Sequence, residues 1–307
     1  MNNNDTNPWN ADRPKSYIGM WLGSKVITRK LQQRITGDPD THWLDYYTSR
    51  YCQSFFHDPA ARCLILGANE GVMERHLRAA GFAGRILSTD IADKALARAE
   101  QESRRLGLTG IEYRLADLNT DSFEGPFDMV VAEGVLHHIE NTERLLRHIH
   151  DILKPSGYLL AVEWAGPFRF QLPENQVRWI NALLAAVPAE LRPLYEGPAG
   201  VPPPLDYQSR IHYVIAPEDS VRDADPTEAI AGEPLRRLLP EVFDIAEWKG
   251  FGGTLLSYMT GHFPFELADT DPYVRSFAEM LYDMEEKVIA SGLFEDEFFT
   301  VAARRKG

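Results

Sequence analysis

Short apolar runs alternate with amphipathic stretches along most of the chain, and this pattern predicts alternating strands and helices. The apolar runs that predict strands lie at 63–66, 86–87, 111–115, 127–132, 157–164, 243–251 and 298–305. The stretches with helical spacing lie at 16–35, 41–56, 72–80, 92–107, 143–153, 174–187, 252–259 and 271–292. Strands that alternate with helices in this way indicate an α/β fold built on a mostly parallel sheet.

The first strand–helix–strand unit carries the strongest chemical signal. The run at 63–66 breaks at Gly67 into the turn G-A-N-E-G, and the second run ends in Asp90. A glycine turn lets the backbone approach a ligand, and a carboxylate after the second strand can accept hydrogen bonds from ribose hydroxyls. A dinucleotide pyrophosphate would need G-x-G-x-x-G, and here Glu70 stands where a phosphate would bind. The unit therefore favours a nucleoside cofactor without phosphate over NAD.

Length and charge narrow the class of protein. The 307 residues exceed one minimal domain of this kind, so we expect a large insertion. A net charge of -13 argues against a protein that wraps nucleic acid. No apolar run approaches a membrane span, and the first residues lack a signal-peptide pattern, so we expect a cytoplasmic protein with no membrane partner. Cys52 and Cys63 have no metal or redox spacing and are interpreted as structural thiols.

Three segments together resemble the class I S-adenosylmethionine-dependent methyltransferases of small molecules. They are the glycine turn at 67–71, the string E-G-V-L-H-H-I at 133–139 after the fourth strand, and K-P-S-G before the fifth. Ile65 replaces the acid that usually ends the first strand in that family, and Asn69 replaces the middle glycine. The resemblance covers roughly 40–163 and 240–305. It implies a Rossmann-like, mostly parallel seven-stranded sheet with helices on both faces, together with N-terminal helices and an insertion lid.

The same resemblance implies S-adenosyl-L-methionine as the cofactor and S-adenosyl-L-homocysteine as the product. The residues it assigns to cofactor binding are Gly67, Ala68, Asn69, Gly71, Asp90, Ile91, Asp117, Leu118, Glu133, Tyr46 and Tyr47. Asp90 is expected at the ribose and Asp117 at the adenine amino group. Asp117 could equally form a turn, and the two tyrosines, on a predicted N-terminal helix, could equally be helix-packing core.

The histidine pair after the fourth strand supplies the candidate catalytic groups. His137 or His138 would face the pocket, and an imidazole there could act as general base for a hydroxyl that attacks the methyl group. Either histidine could instead pack or bond a backbone carbonyl. Adjacent histidines without a ligand at helical spacing argue against a metal, so none is expected. His148 and His150 are interpreted as surface or packing residues.

The proline-rich stretch after the fifth strand departs from a minimal fold and predicts a lid over the acceptor. Trp164 precedes it, and arginines among aromatic residues within it could orient an anionic acceptor or simply tie the cap to the core. The substrate-binding candidates are Trp164, Arg169, Arg210 and His212. The expected organisation is a disordered terminus at 1–15, a helical cap at 16–60, a cofactor half at 61–164, the lid at 165–240 and the completion of the sheet at 241–307.

The sequence thus predicts methyl transfer to a small molecule, most simply to a hydroxyl oxygen of a sugar or natural product, with nitrogen or carbon as other acceptors. A homodimer is compatible with it, and a nucleic-acid partner is not expected. Two other functions stay open: a non-methylating enzyme that uses bound S-adenosylmethionine on the same fold, and a cofactor-binding scaffold without catalysis. An NAD-dependent dehydrogenase is a weaker rival.

Overall fold

Residues 21–192 and 212–307, which a computed structural model describes, fold around one seven-stranded sheet. Its strands are β1 (Arg62–Leu66), β2 (Arg85–Asp90), β3 (Ile111–Leu115), β4 (Phe127–Glu133), β5 (Leu153–Trp164), β6 (Phe243–Gly250) and β7 (Phe298–Arg305). The order is β3-β2-β1-β4-β5-β7-β6, and β7 runs antiparallel to both of its neighbours. The predicted α/β, mostly parallel Rossmann-like fold is therefore confirmed. The predicted terminus at 1–15 and Arg210 lie outside the described residues.

Helices cover both faces of this sheet. They are α1 (Lys25–Thr36), α2 (Trp43–Tyr51), α3 (Gln53–Phe56), α4 (Val72–Ala79), α5 (Asp93–Arg105), α6 (Thr142–Ile152), α7 (Glu174–Ala186), α8 (Glu218–Ala224), α9 (Gly232–Val242) and α10 (Pro272–Ala290). The longest of these, α10, begins at an Asp271 cap followed by proline, and Gly292 follows its end. Within the described residues, no helix has the length and apolar character needed to cross a membrane.

Alternating side chains of the strands supply two separate cores. Cys63 and Ile65 of β1 join the core under α1, α2, α4, α7 and α10, while Leu64 and Leu66 join the core under α6 and α9. Each of these four side chains is almost fully buried. This two-sided burial explains why β1 reads as a continuous apolar run instead of an alternating one.

The strand order sets the position of the ligand site. Chain order proceeds outward through β1, β2 and β3 on one side and through β4 and β5 on the other, so it reverses between β1 and β4. Loops at the carboxyl ends of β1 and β4 turn to opposite faces at this point and leave a crevice between them.

Three segments differ from the elements predicted for them. The K-P-S-G segment, expected as a turn, lies within β5, where the β4–β5 register shifts between Phe127 and Met129. The stretch at 252–259, expected as a turn into a helix, ends in a short 3-10 helix, Leu256–Met259. The proline-rich stretch carries α8 and α9 besides the expected α7. Proline and glycine in these segments indicated irregular backbone, but they did not determine whether a turn, a strand or a helix would form.

Candidate functional site

A cleft opens at the switch point, at the carboxyl ends of the first four strands. We call it the switch-point cleft. It is lined by Gly67, Asn69, Asp90, Ile91, Ala92, Ala95, Ala116, Asp117, Leu118, Asn119, Glu133, Gly134, Val135, His138, Ile139 and Thr227. Most of these residues belong to the loops that follow β1, β2, β3 and β4, so one edge of the sheet builds the cleft.

The turn after β1 brings its backbone to the floor of the cleft. Gly67 has φ +71°, and a Cβ at this position would lie 2.8 Å from the Cβ of Val135 in the loop after β4. Asn69 also adopts the left-handed region, with φ 47°, which asparagine tolerates better than most residues. Gly71, with φ +79°, leads into α4. Asn69 thus adopts a left-handed conformation at the position where the family pattern has its middle glycine.

Asp90 connects this turn to the end of β2. Its Oδ2 accepts the Asn69 N–H at 2.7 Å, and its Oδ1 accepts the Ala92 N–H at 2.8 Å. The half-buried carboxylate lines the cleft. Because a carboxylate oxygen can accept more than one hydrogen bond, Asp90 can hold the turn and still accept from a ligand hydroxyl.

The ends of β2 and β3 provide a flat apolar wall beside a second carboxylate. Ile91, 48% exposed, lines the cleft together with the buried Leu118 and Ala116. Asp117 uses Oδ1 to accept the Asn119 N–H at 2.9 Å, a local turn bond. The predicted turn role of Asp117 is therefore present, and its side chain lines the cleft as well.

Glu133 stands where two cavities meet. It ends β4 and lines both the switch-point cleft and a second cavity that lies under α1. The residue as a whole is exposed at the end of β4, although protein surrounds its carboxyl group. The water displaced by that protein, followed by the nearby charge of Glu163, raises the pKa of Glu133 to about 7. Gly134 also lines both spaces, so the cleft and the second cavity share a wall at these two residues.

The second cavity, called here the α1 cavity, is mostly apolar. Leu31 and Ile35 of α1 form its roof, and Trp43, Trp164, Phe251 and Phe298 form much of its sides. Its polar groups include Glu133, Glu163, His42 and His137. Arg29 and Asp40, which also line it, pair with each other. An apolar space with a few polar groups beside a cofactor cleft suits a small, largely uncharged ligand.

Glu163 organises the loop after β4. It ends β5, its side chain is fully buried, and its Oε1 accepts the N–H groups of Val135 and Leu136 at 2.8 and 2.7 Å. Its Oε2 lies 2.8 Å from Nδ1 of His137. Burial opposes a charge on this ring, but the hydrogen bond and charge of Glu163 outweigh it, so the pKa of His137 is raised.

His138 is held in a similar way by a different segment. Its Nδ1 lies 3.2 Å from Oγ1 of Thr227, and that hydroxyl donates to Oδ1 of Asp225 at 2.7 Å. The two imidazole rings lie 4.2 Å apart between centroids. Burial, followed by the neighbouring His137, lowers the pKa of His138 to about 4. His137 lines the α1 cavity and His138 lines the switch-point cleft, so the pair spans the shared wall.

The tyrosines expected at the cofactor lie elsewhere. The Tyr46 hydroxyl donates to Glu247 of β6 at 3.0 Å, and the fully buried Tyr47 pairs with Thr300 of β7 at 2.7 Å. Neither tyrosine lines the switch-point cleft. The packing interpretation therefore describes both residues, because α2 turns this face toward the sheet. His42 and Trp43, from the same segment, line the α1 cavity instead.

Of the predicted substrate residues that the structure describes, one lines the α1 cavity and two line neither space. Trp164 lines the α1 cavity and donates from Nε1 to Glu297 at 3.1 Å. Arg169 is buried and donates to backbone carbonyls of Asp225 and Pro226, so it ties the lid together instead of facing an anionic acceptor. His212 is exposed and lines neither space.

Sequence reasoning missed several residues of the site. Glu163 lies within the predicted strand at 157–164 and is not among the predicted site residues, although an acid at the carboxyl end of a buried strand is a recognisable signal. Thr227 and Glu228 reach the histidine pair from a lid segment, and the contribution of α1 to the second cavity comes from far earlier in the chain. Because these residues come from distant parts of the chain, the local spacing of apolar residues does not reveal that they meet.

The switch-point cleft fits the nucleoside part of S-adenosylmethionine. A side chain at Gly67 would collide with Val135, so the glycine lets the turn pack closely against the loop after β4 where both line the cleft. Asp90 can accept from ribose hydroxyls, and Ile91 and Leu118 form an apolar surface for a base. Glu70, which would face a phosphate in a dinucleotide site, pairs with Arg98 at 3.2 Å and does not line the cleft.

Comparisons with known proteins agree with this geometry. Residues 64–161 match the family described as a methyltransferase domain. Over 105 residues the chain is 29% identical to the ubiquinone/menaquinone biosynthesis C-methyltransferase UbiE of Klebsiella pneumoniae, covering 34% of this chain and 42% of that protein. The chain therefore spans less than half of the length of the curated relatives that it matches.

Two solved structures are also similar. An S-adenosylmethionine-dependent methyltransferase from Mesorhizobium loti is 22% identical with a TM-score of 0.46, covering 84% of this chain and 97% of that one. A putative sarcosine dimethylglycine methyltransferase from Galdieria sulphuraria is 13% identical with a TM-score of 0.48, covering 85% and 84%. Residues 64–161, about a third of the chain, are thus similar to a methyltransferase domain.

Proposed function

We propose that this protein transfers the methyl group of S-adenosylmethionine to a small, largely uncharged acceptor, with a hydroxyl oxygen as the accepting atom. One observation carries the proposal. The switch-point cleft and the α1 cavity meet at Glu133 and Gly134, with the histidine pair on their shared wall. A methyl donor in one space and an acceptor in the other would therefore face each other across a short boundary.

The cofactor side supplies binding and charge. Asp90 would hold the ribose, and Asp117 with Ile91 and Leu118 would hold the adenine. Glu133 offers a carboxylate at the junction, which favours a cationic sulfonium over a neutral group. When bound, S-adenosylmethionine supplies an electrophilic methyl carbon, so the protein's main task is to align the acceptor with it. Such alignment can supply about 7–11 kcal/mol of a reaction barrier.

The acceptor side supplies shape and exclusion of water. Aromatic side chains, Trp43, Trp164, Phe251 and Phe298, surround the α1 cavity and suit a ring-bearing acceptor. Its arginine, Arg29, pairs with Asp40, and Arg169 lies outside the lining. These contacts support a neutral acceptor in place of the anionic one that the lid arginines first suggested.

The histidine pair is the group that we assign to activating the acceptor hydroxyl. Glu163 fixes one ring and Thr227 the other through their Nδ1 atoms, so each Nε2 is directed away from these anchors. Held in this way, His137 can act on a hydroxyl in the α1 cavity at the moment when it attacks the methyl group, while His138 lies on the cofactor side.

Turnover with a panel of acceptors tests the proposal. Neutral phenols, aliphatic alcohols, amines and benzoates are incubated with the full chain and S-adenosylmethionine, and S-adenosylhomocysteine release is followed by mass spectrometry. We expect release with neutral hydroxylated compounds and a methylated product, whose accepting atom NMR identifies. A His137→Ala, His138→Ala double variant is expected to lose at least tenfold in turnover, whereas the exposed control His212→Ala keeps it. Absence of S-adenosylhomocysteine binding would overturn the proposal outright.

A further inference from the structure

The lid brings a third potential ligand to the histidine pair. Glu228 Oε1 lies 3.8 Å from Nε2 of His137. One ligand atom from each of His137, His138 and Glu228 lies within 4.8 Å of the others. Glu228 follows the pair by about ninety residues in the chain, so only the fold reveals this trio. Two imidazole nitrogens and a carboxylate oxygen are the donors found in three-ligand sites for zinc and related metals.

Both imidazoles are oriented as metal-binding histidines are. The Nδ1 of His137 is held by the buried carboxylate of Glu163, and the Nδ1 of His138 faces the Thr227 hydroxyl, whose own proton goes to Asp225. With Nδ1 of His137 held by Glu163, its Nε2 is the nitrogen that faces Glu228. A carboxylate or hydroxyl behind the ring fixes the tautomer in this way in known metal sites.

The third ligand is also fixed in place. The buried Arg169 donates to the carbonyls of Asp225 at 3.3 Å, Pro226 at 2.8 Å and Glu228 at 3.4 Å, and its own N–H donates to Ala229 at 2.8 Å. This clamp positions the backbone that carries Thr227 and Glu228. The trio is therefore organised from both sides, by β5 through Glu163 and by the lid through Arg169.

The charge around the trio suits a dication. Glu163, Glu228 and Asp225 place three carboxylates around two imidazoles, and the guanidinium of Arg169 stands behind the segment that carries two of them. We propose that His137, His138 and Glu228 bind a divalent first-row transition metal, with Zn²⁺ as the best match to two nitrogens and one oxygen. Such an ion requires each donor at about 2.0–2.2 Å from the metal.

Three protein ligands leave a coordination position open, as in catalytic metal sites. The pair lies on the wall shared by the two cavities, so an oxygen of the acceptor can reach that position. A coordinated hydroxyl loses its proton at lower pH than a free one. This catalytic consequence rests on the proposed function, whereas the binding of the ion does not.

A second trio, His42, Asp45 and His76, needs a control in any metal titration. His42 Nδ1 accepts the Leu44 N–H at 3.3 Å, so the other nitrogen of the neutral ring carries its proton. Neither nitrogen of His42 then offers a lone pair for a metal, and we assign no ion to this trio.

Metal titration of the full chain without a histidine tag tests the inference. After treatment with EDTA, Zn²⁺ is titrated by calorimetry and Co²⁺ by its visible absorption, without cofactor or acceptor.

We expect one equivalent of metal to bind the wild type and His76→Ala, with affinity at least tenfold weaker in Glu228→Gln and His138→Ala. Glu163→Gln, which keeps the size of the side chain but removes the charge that faces His137, is expected to lose 10- to 100-fold. Circular dichroism and S-adenosylhomocysteine binding report whether each variant is folded.

The results distinguish failure of the metal site from failure of the proposed function. No stoichiometric binding, or binding that persists in Glu228→Gln and disappears in His76→Ala, overturns the metal site. Methyl transfer that continues at full rate in EDTA, with no metal bound, overturns its catalytic role while the proposed function stands. One equivalent of Zn²⁺ without S-adenosylhomocysteine binding supports the metal site and removes the proposed function.

Discussion

At the scale of single residues, Asp90 both holds the neighbouring backbone and lines the switch-point cleft. It holds the glycine turn through Asn69 and the start of the next helix through Ala92. We predict that Asp90→Ala weakens S-adenosylhomocysteine binding by about 1.5–3 kcal/mol, since hydrogen bonds to a charged group are lost. Isothermal titration calorimetry measures the change, and Glu70→Ala, which alters an acid outside the cleft, is the control. Equal affinities in wild type and Asp90→Ala would contradict the ribose assignment.

Gly67 offers a sharper steric test. Alanine at this position must adopt φ near +71° and place its Cβ 2.8 Å from Val135. The left-handed backbone costs about 1–2 kcal/mol, and overpacking adds about 1–3 kcal/mol. Gly37→Ala is the matched control, because Gly37 has φ +86° but nothing within 4 Å of an added Cβ. Urea unfolding should show the larger loss of stability for Gly67→Ala; equal losses would mean that Val135 moves aside.

Individual residues also show how far sequence reasoning reaches. Gly67, Asp90, Asp117 and Glu133 line the predicted cleft, because each lies next to the end of a strand whose position the apolar runs reveal. Tyr46 and Tyr47 could not be assigned in this way, since which face α2 turns to the sheet depends on packing against β6 and β7. The clamp formed by Arg169 depends on carbonyls more than fifty residues away and leaves no sequence signal.

At the scale of elements, a single substitution can weaken the docking of α1, the helix that forms the roof of the α1 cavity. Its first turn is capped by Ser24, and Asp269 accepts the Lys25 and Val26 N–H groups at 3.1 Å each. We predict that Asp269→Ala costs about 1–2 kcal/mol and increases amide exchange along α1, because its first backbone donors lose their acceptor. Unfolding curves and hydrogen exchange measure both effects.

The control for this prediction is Asp283→Ala on α10, which removes only an exposed ion pair with Lys30. Exposed pairs contribute about 0–1 kcal/mol. If both variants unfold at the same urea concentration, the docking of α1 does not depend on Asp269.

Strands and helices were predictable where a single pattern of apolar residues ran through the whole segment. The strands β1 and β4 are buried on both faces, and their apolar runs at 63–66 and 129–132 are visible in the sequence. By contrast, Pro155 and Gly157 suggested a turn but lie in β5, where a register shift accommodates them. In α9, Pro240 lies inside the helix, so a rule that ends helices at proline hides this element. Here tertiary packing outweighed local preference.

At the scale of the whole molecule, a buried acid makes stability depend on pH. Glu297 accepts hydrogen bonds from Trp164, Gln176 and Tyr258, which belong to β5, α7 and the segment after β6. Burial raises its pKa to about 7 from an ordinary value of 4.5, although these hydrogen bonds oppose the shift. The folded state therefore holds a proton that the unfolded chain has already lost between these two pH values.

The sign of the effect follows from this difference in protons bound. The contribution of Glu297 is fully present below about pH 4.5 and is lost as pH rises through 7. We predict that wild-type stability, measured against Glu297→Gln, falls by up to about 3 kcal/mol between pH 4.5 and 8. Urea unfolding at several pH values gives this difference, and a constant difference would contradict the prediction. Glu133 titrates in the same window, which is why the variant must serve as the reference.

The roof of the α1 cavity and the floor of the switch-point cleft come from distant parts of the chain. Leu31 and Ile35 belong to α1, whereas the cleft is built from the loops after β1 to β4. Under the proposed function, natural selection could therefore diversify the accepted compounds by changing α1, while the loops proposed to hold the methyl donor are inherited intact. A chimaera that exchanges only the first helix with that of a related enzyme would then adopt new acceptors and retain its donor affinity.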